Sequence, residues 1–74
     1  MTEQAAYQIR VQGWMGERWS SRFDGMVIVR ESEPDGTPMT TLTGPVPDQA
    51  ALRGILNRLW DLNLTLISVR KQER

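Results

Sequence analysis

The chain has 74 residues, a formal charge of zero from nine basic and nine acidic side chains, and neither histidine nor cysteine. This length makes a single domain, 1–74, whose core supplies only a few kcal/mol. Absent thiols exclude disulfides, iron–sulfur clusters and zinc ribbons, and absent imidazole removes the commonest general base and metal ligand. Balanced charge removes the long-range field on which nucleic-acid affinity depends.

Hydrophobic residues make up 39% of the chain, which suits a globular domain better than a disordered segment. All basic residues but Lys71 are arginine. Arginine suits planar, bidentate contacts, yet codon bias yields the same excess and carries the larger weight. The start, MTEQAA, has no basic or apolar signal region, so secretion is not expected. The longest apolar run, Met26 to Val29, is too short to span a bilayer. A soluble, cytoplasmic protein is expected, with its ordered core at about 7–70 and Arg70–Arg74 as a solvated tail.

Tyr7 to Trp14 alternates, with Tyr7, Ile9 and Val11 on one side and Gln8, Arg10 and Gln12 on the other. This is the period of a half-buried strand, broken by Gly13 and Gly16. Across Gly16–Asp24, Trp19 and Phe23 stand four apart, as do Arg18 and Arg22. That spacing fits one or two helical turns closed by Gly25, or a loop pinned by the aromatics; both remain open. Met26 to Glu31 reads as a second strand, apolar on both faces. Glu33-Pro34-Asp35-Gly36 is a turn, because proline presets one dihedral and Asp-Gly tolerates positive φ. Met39 to Thr43 returns as a third strand, ended by Gly44 and Pro45.

Pro47-Asp48-Gln49 opens a helix, with proline in its first turn and Asp48 as the cap. Ala51, Leu52, Ile55, Leu56, Leu59 and Leu62 form its buried stripe, and Arg53, Asn57, Arg58 and Asp61 fall mostly opposite. Asn63 suits a left-handed C-cap, with Leu64 closing it. Leu64 to Arg70 is the fourth strand, Leu64 and Leu66 against Ile67 and Val69.

The order is strand, short helix or loop, strand, strand, helix, strand. This is an α+β chain of the ferredoxin-like split βαβ type, with a four-stranded antiparallel sheet, one main helix and a shortened first helix. A meander of three strands followed by helix and strand is the alternative. One helix cannot cover both faces of such a sheet, so part of the apolar strand surface must face away from it. Exposed apolar patches mark interfaces, and a homodimer is the expected solution. The candidate interaction surface is Trp14, Trp19, Arg22, Phe23, Val27, Val29, Leu64 and Leu66. Alternatively the aromatics fold back and cover the face within one chain, the stronger reading for Trp19 and Phe23 individually.

Catalytic constellations are sparse. Ser20, Ser21, Ser32 and Ser68 have no histidine to activate them, and a Ser68–Lys71 pair would join a strand to a tail. Glu31, Glu33 and Asp35 cluster at the hairpin and could hold a cation weakly, though a solvated tip is the better reading. Asp24 beside Gly25 reads as a turn cap. Gly13-Trp14-Met15-Gly16 lacks the Gly-Lys-Ser/Thr of a phosphate loop, and the open-face candidates are aliphatic rather than RNA-stacking aromatics. Arg18 and Arg22 could grip an anion or an acidic partner, against the plainer reading of a solvated face. No catalytic, metal or cofactor site is assigned, and no nucleic-acid or membrane partner is expected.

The segments RWSSRFDGM and LTGPVPDQAALRGILNRLWDLNLTLISV resemble a family of short bacterial proteins of uncharacterised function. The resemblance runs from about Tyr7 to Arg70, and its most specific parts are Leu42–Pro45, Asp48–Leu52 and Leu66–Val69. It implies a common fold rather than an activity. The family pattern has a second aromatic where Arg22 stands and glycine where Asn63 stands. Asparagine tolerates the same left-handed cap, whereas Arg22 argues against a fixed aromatic ligand box.

Three functions follow in order of preference. The first is a non-catalytic protein-interaction module, dimeric and able to bind another protein. The second is a ligand-sensing regulatory domain with its site at a dimer interface. The third, more remote, is a cofactor-independent enzyme of the dimeric α+β barrel kind, which would need a carboxylate, arginine, Lys71 or Tyr7 in a cavity.

Overall fold

A computed structural model describes residues 5–15, 19, 23 and 25–72. Among these residues it is an α+β fold of four antiparallel strands and one helix. The elements are β1 (Ala5–Gln12), β2 (Val27–Ser32), β3 (Pro38–Val46), α1 (Gln49–Asp61) and β4 (Thr65–Gln72). The sheet order is β2-β3-β1-β4. It is not a meander, in which β1 would lie beside β2. The expected helix or loop over Gly16–Asp24 lies outside the described residues, Trp19 and Phe23 excepted.

The strand alternation builds an inner face against α1. Ile28, Leu42, Ile9 and Val69 form one row across all four strands. Tyr7, Ile9, Val11, Leu42 and Val46 join Leu52, Ile55 and Leu59 of α1 in one buried cluster, completed by Met15, Phe23 and Met26. The helix stripe follows the 3.6-residue period that the sequence carries.

The helix ends are built by the residues that announce them. Asp48 accepts a hydrogen bond from the Ala51 amide at 2.8 Å. At the other end the Asn63 amide donates to the Trp60 carbonyl and the Leu64 amide to the Leu59 carbonyl, at 2.9 and 3.1 Å. This bond pair, with Asn63 at φ 64°, is a Schellman motif.

Two strands differ from the sequence expectation, and one of them, β4, also runs past Arg70 to Gln72, because Lys71 and Gln72 pair with Tyr7 and Ala6 of β1 instead of joining a solvated tail. β3 does not stop at Gly44-Pro45 but runs on to Val46, because β1 pairs with it as far as Ala5↔Val46. The β2 ladder ends at Val27↔Thr43, so Pro45 lies where β3 has one neighbour and its missing N–H removes no bond to β2. Gly44 allows close approach there, since a Cβ would meet Met26 Cγ at 3.0 Å and its Cα at 3.1 Å. In β4 the pairing with β1 slips one residue between Arg10 and Val11. A slip of one reverses the facing of a strand. Leu66 therefore shares the inner face with Val69, rather than opposing it, and Ile67 is left exposed.

Candidate interaction surface

Val27, Ile28 and Val29 are β-branched, which favours the extended chain. As part of β2 they form the edge of the sheet. Ile28 faces inward and is half-buried, whereas Val27 and Val29 face away from the helix, 61% and 45% exposed. The remaining outer face is mostly polar: Thr43, Gln8 and Arg70 lie in the row of Val27, and Thr41, Arg10 and Ser68 in that of Val29.

The far end of β2 is held firmly. Glu31 accepts from the Thr41 hydroxyl at 2.8 Å and lies 3.8 Å from the Arg10 guanidinium. This ion pair is partly exposed, so its net contribution is small. Trp14 donates its indole N–H to the Glu31 carbonyl at 3.1 Å, and the Arg30 guanidinium lies 5.7 Å from its ring centroid. That cation–π contact fixes a ring that is still 55% exposed.

The hairpin tip is a proline-led turn closed by the Gly36 amide on the Glu33 carbonyl at 2.8 Å, with Gly36 at φ 90°. Asp35 accepts from the Thr37 amide at 3.0 Å. Its carboxyl is held below the ordinary value of 3.8 chiefly by hydrogen bonding to Thr37, first from the side chain and then from the backbone. Glu31 turns to Thr41 and Arg10 instead of joining the tip. Among the described residues no group of three or more acidic side chains is arranged to hold a metal ion.

The structure divides the sequence candidates. Trp14, Val27 and Val29 are at the surface. Phe23 is part of the core, and Trp19, Leu64 and Leu66 are half-buried against it. Leu64 lies over Gly13, at φ 112°, so closely that a Cβ on that glycine would meet its side chain at 2.8 Å. Arg22, like Arg18, lies outside the described residues.

Two exposed apolar residues escaped the sequence reading. Ile67 is turned out by the β4 slip, which is a property of pairing and has no local signal. Trp60 is 52% exposed on α1 and borders an open groove with Leu52, Arg53 and Leu56. Its signal was present, since Leu52, Leu56 and Trp60 are spaced by four along one helix flank. A second hollow, of about 200 Å³, lies between Trp19, Phe23, Arg58, Asp61 and Leu62.

No helix among the described residues is long and apolar enough to cross a membrane. The sequence profile of a domain of unknown function (DUF8691) matches residues 6–70. The chain belongs to that family. It matches no curated protein and no solved structure.

Proposed function

We propose that this member of the DUF8691 family is a non-catalytic protein-interaction module that acts as a homodimer. The observation that carries the reading is the pair of outward valines, Val27 and Val29, on an edge strand and on the face turned away from α1. Apolar surface left in water forgoes about 25 cal/mol per Å², and a domain this small gains proportionately from covering it. Ile67, exposed on the opposite edge strand, adds a second apolar point.

The sheet is read as the ferredoxin-like split βαβ arrangement. The order β2-β3-β1-β4, with every pair antiparallel, supports it, because the first strand lies between the third and fourth. Size-exclusion chromatography with light scattering tests the function. A mass of twice 8.5 kDa at micromolar concentration is expected, and a strict 8.5 kDa monomer at all concentrations overturns the homodimer.

A further inference from the structure

The two edges of the sheet are unlike. β4 carries the register slip at Ile67 and ends in exposed Arg70 and Lys71. A bulge and edge charges are the devices that keep a strand from pairing with another chain. The Val27-Ile28-Val29 stretch of β2 has neither; its charges, Arg30 and Glu31, come only after it.

Hydrogen bonding adds a direction. The Glu33 amide donates to the Thr37 carbonyl at 2.9 Å, which makes Glu33↔Thr37 a bonded pair at the hairpin end. Bonded pairs alternate along an antiparallel ladder, so Glu31, Val29 and Val27 turn their backbone groups toward β3. Pro38, which has no N–H, falls at a non-bonded position opposite Ser32, as this alternation requires. Ile28 and Arg30 consequently direct their N–H and C=O groups out of the sheet.

We propose that two copies of this chain pair antiparallel through β2, about a two-fold axis at Ile28, to form one continuous sheet. The inference rests on the homodimer reading above and names the surface through which the copies meet. In this register Ile28 exchanges both backbone bonds with Ile28 of the second copy, and the Arg30 amide donates to the second copy's Met26 carbonyl. Val27 faces Val29 of the second copy, and the reverse, so all four exposed valines meet at non-bonded positions where side chains approach most closely.

Other registers match less well. An axis at Val29 sets Val27 against Glu31, a carboxylate already engaged by Thr41 and Arg10. An axis at Arg30 sets two guanidiniums directly opposite each other, a destabilising pairing. The Ile28 axis opposes no like charges.

The cysteine-free chain makes the register directly testable. Val27→Cys and Val29→Cys variants, each confirmed folded by circular dichroism, are mixed in a glutathione redox buffer and the products resolved by mass spectrometry. In the proposed register the mixed pair has Cα atoms about 4.5 Å apart, within disulfide range, and the Val29→Cys self-pair about 7–8 Å, beyond it. The mixed disulfide should make up nearly all of the cross-linked product, well above its statistical half-share. Preferential self-linking of Val29→Cys overturns the register and moves the axis to Val29. Sedimentation of the unmodified chain separates the remaining outcomes. A dimer with only statistical linking overturns β2 pairing and leaves the homodimer standing, whereas a monomer overturns both.

Discussion

Asp48 and Asn63 each satisfy backbone groups that α1 would otherwise leave unpaired at its ends. Replacing Asp48 by alanine removes the acceptor for the Ala51 amide and should cost roughly 1 kcal/mol in denaturant unfolding. Gly44 is constrained by a neighbour rather than by its dihedrals. Gly44→Ala drives a methyl against the Met26 backbone and should cost roughly 1–3 kcal/mol in the same measurement. At the hairpin tip Asp35 has a depressed carboxyl value because Thr37 bonds its charged form. Its contribution is therefore complete above the ordinary value of 3.8 and is lost as pH falls through the lowered folded value. Thr37→Val removes the hydroxyl bond and keeps the amide, so the Asp35 midpoint should rise part of the way, read by carboxyl-carbon NMR titration.

The elements differ in how far local sequence determines them. Helix α1 is legible in its cap, stripe and C-terminal turn, each set within a few residues, but Pro47 precedes the Asp48 cap instead of standing in the first turn. Leu59 is nearly inaccessible at the centre of its buried face. Leu59→Ala should cost about 2–5 kcal/mol, comparable with the whole stability of so small a domain, and leave circular dichroism largely that of an unfolded chain. The hairpin was equally readable, because Pro34, Asp35 and Gly36 specify its turn. Gly44-Pro45 misled for the opposite reason: the pair breaks strands locally, while the long ladder with β1 carries β3 through it. The slip in β4 was hidden because alternation fixes facing only within an unbroken register. It brought Leu66 to the inner face and turned Ile67 outward, and so narrowed the outward apolar surface to Val27 and Val29 with Ile67. Burial of Phe23 and partial burial of Trp19 came from chain folding back on the core, the alternative that spacing alone had left open.

At the scale of the molecule, α1 covers the inner face, and the outer side is mostly polar, with Val27, Val29 and Ile67 exposed and Met39 buried in the row of Glu31 and Gln12. A core this small, in a chain without cysteine, stands close to the limit at which a domain is stable alone. Pairing through β2 would satisfy the edge and cover Val27 and Val29 together. Val29→Lys, a change at an exposed position, should leave the monomer folded and raise the dimer dissociation constant by about tenfold or more, measured by sedimentation equilibrium. The most direct measurement of the central claim is amide hydrogen exchange of Ile28 and Arg30 as a function of protein concentration. Both amides point out of the monomer sheet, so their exchange should slow as the dimer populates, while Val29, already bonded to β3, changes little. Rapid exchange of Ile28 and Arg30 at every concentration, in a chain shown to be dimeric, would contradict pairing through this edge.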